Sequence, residues 1–157
     1  MENRSDSPGV YIPPPILYVL FFLISIFLQK KVTIDPFVFH LLITKAIGIL
    51  LLAIALLFMI TSLMIFIKSK NTLILIKPAT SLQTKGIYNI SRNPMYLGLA
   101  VVYLGITCLV GNWWNLIVFP FLILLIQEYI IKREEKYLER AFGVEYVEYK
   151  KKVRRWL

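Results

Sequence analysis

Two short stretches of this sequence hold side chains able to do chemistry together. The first is Arg92-Asn93-Pro94. Proline suits the first position of a helix because the N–H it lacks has no partner there, and asparagine suits the N-cap before it. A helix beginning at Pro94 presents free backbone N–H groups and the positive end of its dipole, and Arg92 adds a permanent cation. That combination can bind a carboxylate or a phosphate. The plainer reading is a capped helix start with an anchoring arginine. The second stretch is Arg133-Glu134-Glu135-Lys136. A carboxylate here can hold ribose hydroxyls or a cationic centre, and the plainer reading is a solvated charge run at a helix end. Much other chemistry lacks its residues. With one Cys and one His, Cys108 and His40, neither an internal disulfide nor a zinc set can be built, and no metal is expected. GxSxG, HExxH, P-loop and GxGxxG signatures are absent.

The elements that must position these residues are membrane helices. Of the 157 residues, 58% are apolar or aromatic and 17% charged, against roughly 25% charged in ordinary soluble domains. Mean hydropathy is +0.69. The net charge of +9 is concentrated after residue 67, where fourteen basic and six acidic side chains lie. Next to long apolar runs, that excess reads as one face of a membrane protein rather than a nucleic-acid surface.

Four spans are expected in one all-α domain, residues 1–157. Residues 7–29 carry no charge, and Pro13-Pro14-Pro15 marks the start of the first helix. The stretch lacks a basic leader region and a small-residue cleavage site, so a retained helix is expected rather than a signal peptide. Ala46 to Ile67 gives the second span. Asn93 to Gln127 is 35 uncharged residues, about 52 Å as one helix against a hydrocarbon core of about 30 Å. It must turn, and Gly111-Asn112-Trp113-Trp114-Asn115 supplies the turn, giving arms at 94–110 and 113–131. Pro120 is expected to kink the second arm. Spans 1–77 thus precede a second half, 78–157.

The loop 68–92 has five basic and no acidic residues, and the tail 132–157 has nine basic and five acidic ones. The positive-inside rule places both, and the N-terminus, in the cytoplasm of a bacterial or archaeal plasma membrane. The tail reads as a helix ended by Gly143, then a basic amphipathic helix with Tyr146, Tyr149, Val153 and Trp156 on one stripe. That stripe suits either an anionic bilayer surface or the protein's own body. The hairpin returns Glu134 to the level of Arg92, so a cation-lined helix start faces carboxylates across the bundle mouth.

Gly86-Ile87-Tyr88, Arg92-Asn93-Pro94-Met95-Tyr96-Leu97-Gly98, Arg133-Glu134-Glu135, Leu138 and Phe142-Gly143-Val144-Glu145-Tyr146 followed by Tyr149 together resemble the isoprenylcysteine carboxyl methyltransferases and related phospholipid methyltransferases. The resemblance covers about residues 78–157. It implies methyl transfer from S-adenosyl-L-methionine at the cytoplasmic membrane face, to a lipophilic or lipid-linked acceptor bearing a carboxylate or an amine. It also implies cofactor binding by Thr80, Ser81, Leu82, Gln83, Tyr88, Asn93, Pro94, Met95, Tyr96 and Glu134, and the residue reading adds Arg92. The pattern departs from the family at Asn93, where histidine is common, so no acid–base role is assigned there. It departs again at Ile130, where the prenylcysteine enzymes carry an arginine tied to substrate, so that acceptor is not assumed. An NADPH-dependent reductase of sterol-reductase type and a non-catalytic scaffold stay open as alternatives.

Overall fold

The computed structural model describes residues 7–69 and 81–157. Among these the chain is helical, with no strand. The helices are α1 (Pro14–Lys31), a short α2 (Phe37–His40), α3 (Leu42–Lys68), α4 (Pro94–Val110), α5 (Trp113–Leu125) and α6 (Lys132–Lys152). A 3₁₀ turn, Gly86–Asn89, precedes α4, and a π-helical stretch, Ile126–Ile131, runs from α5 into α6. The four expected spans are α1, α3, α4 and residues 113–131. By length and composition α1, α3 and the helix that starts at Trp113 can cross a membrane, and α4 is a shorter apolar helix of 17 residues.

Surface and interior are arranged as a bilayer requires. In α3 the buried residues are Gly48, Ala55 and Ser62, seven apart, whereas Leu42, Leu50 and Leu57 face outwards. No hydrophobic force drives apolar helices together in lipid, so close packing of small residues takes its place. α3 and α4 form the most extensive helix pair, and their backbones cross in contact. A Cβ on Gly105 would lie 3.0 Å from the Gly48 carbonyl oxygen and 2.9 Å from the Leu52 side chain. The main core lies between α1, α4 and the fourth span, around Tyr18, Tyr103, Leu122, Ile126 and Ile130. Tyr103 stacks on Phe119 at 5.6 Å and meets Phe22 edge-on at 5.9 Å.

The hairpin tip forms where the sequence places it. Gly111 takes a left-handed conformation (φ 75°) that ends α4. The Asn112 side chain then caps α5 by accepting the Trp114 N–H at 2.9 Å. The indoles of Trp113 and Trp114 donate to the carbonyls of Asp35 and Val32, tying the tip to the loop after α1. Pro120 lies inside α5, and the π-helical departure from regular geometry comes six residues later.

Gly143 (φ 51°, ψ −125°) breaks α6 into 132–142 and 144–152. Lys150 pairs with Glu139 across the break. Tyr146, Tyr149 and Val153 are buried against Tyr88. Of the two uses open to that stripe, the fold takes packing on its own body.

Candidate functional site

At the end of the bundle where α4 begins, a cavity of about 330 Å³ opens between α1, α3, α4 and α6, a volume in the usual range for small-molecule sites. Tyr88, Arg92, Asn93, Pro94, Met95, Tyr96 and Glu134 line it, seven residues expected from sequence. Ser81, Leu82 and Gln83 are not among the lining residues. Leu82 packs on the Tyr88–Tyr146 cluster, and Gln83 donates to the Ser81 hydroxyl at 2.9 Å. Thr80 lies outside the described residues. The remaining walls are Pro13, Pro14, Pro15, Met59, Phe66 and Leu99. The prolines were legible only as a helix start, and Met59 and Phe66 look like any other span residues.

Each polar wall is held by a nameable contact. Gly86 (φ 63°) opens the 3₁₀ turn that carries Tyr88 inward. The Tyr88 hydroxyl meets Ser62 of α3 at 2.8 Å, and the Tyr149 hydroxyl donates to the Tyr88 carbonyl at 2.7 Å. Tyr96, in the first turn of α4, donates its hydroxyl to Glu134 Oε2 at 2.8 Å. Glu134 emerges just past the fourth span, and burial pushes its carboxyl up to about 6. The Tyr96 hydrogen bond opposes that shift and the neighbouring Glu135 charge adds to it.

Glu135 sits differently. Arg155 grips it with two hydrogen bonds, Nε to Oε1 at 2.9 Å and Nη2 to Oε2 at 2.7 Å. Arg92 Nη2 reaches Oε1 at 2.8 Å. Burial pushes the Glu135 carboxyl up, but the Arg155 hydrogen bond and the Arg92 and Arg155 charges outweigh it and hold the group below the usual carboxylate range. The expected meeting of cation and carboxylate at the bundle mouth is therefore present, and Glu135 is the partner that Arg92 takes. The Nε and Nη1 atoms of Arg92 are buried without a hydrogen-bond partner among the described residues.

The start of α4 corrects one expectation. Asn93 holds the N-cap position, but its side chain makes no cap. Its Nδ2 instead donates to the Arg155 carbonyl at 3.0 Å, and its backbone N–H donates to Ser91 Oγ at 3.1 Å. Residues 154–155 thus hold the asparagine side chain away from the helix start. Ser91 Oγ donates to that same carbonyl at 3.2 Å, and the Arg92 N–H donates to the Arg154 carbonyl at 3.0 Å. In sequence Arg155 is one of five closely spaced basic residues, and nothing in its spacing singled it out.

Comparison with known proteins bears on this arrangement. The family model described as phospholipid methyltransferase matches residues 43–145. An uncharacterized protein of Haemophilus influenzae is 50% identical over 66 residues, 40% of this chain and the whole of that protein. The protein-S-isoprenylcysteine O-methyltransferase of Saccharomyces cerevisiae is 41% identical over 68 residues, 43% of this chain and 28% of the yeast protein. Its Schizosaccharomyces pombe counterpart is 38% identical over 72 residues, 46% of this chain and 30% of that protein. The match thus spans less than a third of either yeast enzyme. No solved structure matches. The family match runs from the second span into the tail and takes in the cavity walls from Met59 to Glu134, and by it this integral membrane chain belongs to the phospholipid methyltransferase family of membrane methyltransferases.

Proposed function

We propose that this chain transfers a methyl group from S-adenosyl-L-methionine to a lipidic or lipid-linked carboxylate or amine at the cytoplasmic face of the membrane. The observation that carries the reading is one cavity, at the mouth of the bundle, lined by both Arg92 and Glu134. When bound, this cofactor supplies a methyl group already activated on a sulfonium.

The residues present fit that molecule group by group. The two unpartnered nitrogens of Arg92 are donors in want of an anion, and the cofactor carries a carboxylate. Glu134 is an acceptor for ribose hydroxyls or a counter-charge for a cation. Tyr88, Phe66 and Met59 provide a flat and apolar wall suited to a purine. Pro13–Pro15 and Leu99 keep bulk water from that wall, and the Tyr96–Glu134 hydrogen bond fixes the carboxylate before anything binds. The chain's part in the reaction is then alignment and dryness. Glu135, locked between two guanidiniums, is in no position to remove a proton from an amine acceptor.

The test is calorimetric titration of nanodisc-held protein with S-adenosylhomocysteine, with NADPH as control. Saturable binding of the first alone is expected. Arg92→Ala and Glu134→Ala should each weaken it about tenfold or more, the scale of a lost charge-assisted hydrogen bond, with the fold retained by circular dichroism. Wild-type affinity in both variants would refute the site, and binding of NADPH alone would move the chain to reductase chemistry.

A further inference from the structure

We propose that Arg155 and Glu135, neither of which lines the cavity, are positioning residues that convert Arg92 into a receptor for the carboxylate of the bound cofactor. The proposal rests on the methyltransferase reading above.

The geometry of three charges carries it. Arg155 takes both Glu135 oxygens through its Nε–Nη2 fork, at 2.9 and 2.7 Å. Among the described residues Arg92 is left a single side-chain contact, Nη2 to Oε1 at 2.8 Å, and its Nε and Nη1 find no acceptor. Were Arg155 absent, both Glu135 oxygens would be free to Arg92, and a carboxylate and a guanidinium left alone favour the two-bond arrangement. That arrangement would consume Arg92 Nε. It would also cancel its charge, whereas two arginines on one glutamate leave a net single positive charge. The side chains of Arg92 and Glu135 are only 7% and 9% exposed, so water screens that charge little.

The placement of Arg155 is itself built in. Its carbonyl accepts from Ser91 and Asn93, and the preceding carbonyl accepts from the Arg92 N–H, so the chain end lies alongside 91–93. Val153 is buried on one side, and the Trp156 indole donates to Gln127 Oε1 at 3.3 Å on the other. A residue serving only to tie down the chain end would not need to spend its whole fork on the carboxylate that Arg92 also touches.

The experiment compares two ligands on wild type, Arg155→Ala and Arg155→Lys in nanodiscs. S-adenosylhomocysteine has the carboxylate. Its decarboxylated analogue keeps the adenosine, the thioether and the amine and lacks only that group. Wild type is expected to prefer the first by about tenfold or more, as a charged contact in a dry site allows. In Arg155→Ala the preference should fall to within about threefold of unity, with affinity for the analogue unchanged. Arg155→Lys keeps the charge without the fork, so its preference should fall between the two, and this variant decides if Arg155→Ala does not fold. An equal loss for both ligands would mark Arg155 as merely structural and overturn the proposal. So would an unchanged preference in the variants, or a wild type that does not discriminate. Failure of wild type to bind either ligand would instead overturn the methyltransferase reading beneath it.

Discussion

The Glu134 carboxylate accepts the Tyr96 hydroxyl at 2.8 Å and faces a cavity with largely apolar walls. Burial raises it from an ordinary 4.5 to about 6, so the fold favours its neutral form. The associated stability is fully present below about 4.5 and is lost as pH rises through 6. Binding has the opposite requirement, since the ionised form is the better acceptor and counter-charge. Glu134→Gln is therefore expected to raise the melting temperature at pH 8 more than at pH 5, while lowering S-adenosylhomocysteine affinity at pH 8. Wild-type affinity should decline on acidification through about pH 6, and the variant should be flat there. A variant that still shows the acid decline would assign the titration to another group. Adjacent in sequence, Glu134 and Glu135 thus behave in opposite ways. The cause is the set of partners each meets: a hydroxyl and a cavity for one, two guanidiniums for the other. That division was not legible in the run Arg133-Glu134-Glu135-Lys136, where both carboxylates look alike.

At the scale of elements, the cavity exists because three helices end or change character at one level. α4 starts at Pro94, where proline costs no hydrogen bond. The fourth span passes into α6 through the π-helical stretch Ile126–Ile131. Such a stretch holds more residues per turn than an α-helix, which shifts the face on which Glu134 and Glu135 emerge. α3 must lie close enough to α4 for Met59 and Phe66 to reach the cavity, and Gly48, Gly98 and Gly105 permit that approach. Gly105→Val would set a branched side chain against the Gly48 carbonyl and Leu52. It is expected to destabilise the bundle by about 1–3 kcal/mol, the usual cost of overpacking, and to weaken cofactor binding by moving α3 away from the cavity. A thermal melt in nanodiscs beside the titration checks both, and an unaffected melt would show that the helix pair has slack. The arms 94–110 and 113–131 were readable because apolar length against bilayer thickness demands a turn, and only Gly111-Asn112 could make it. The π-helical stretch was not, since no residue type marks it.

For the whole molecule, the open question of orientation follows from charge. The orientation we propose, from the positive-inside rule, has the cavity and residues 132–157 in the cytoplasm and the 111–115 turn outside. In a Cys108→Ser background, a membrane-impermeant thiol reagent on intact cells is expected to label Thr33→Cys and to leave Val144→Cys unlabelled until the cells are opened. Both positions are exposed. The reverse pattern would invert the orientation and move the site to the other face. Membrane residence, the four apolar helices and the hairpin were determined by the sequence alone, because bilayer thickness and backbone hydrogen bonding allow few alternatives to a run of uncharged residues. The cation-bearing start of α4 was readable for the same reason, as proline after asparagine has few other uses. Only the tertiary structure decided that Asn93 serves the chain end rather than the helix and that Glu135 rather than Glu134 takes Arg92. It alone also brought Arg155 back to complete the pair. Those outcomes depend on contacts across 20 to 62 residues, and such contacts are chosen by which buried donors and acceptors remain unsatisfied once the helices have packed.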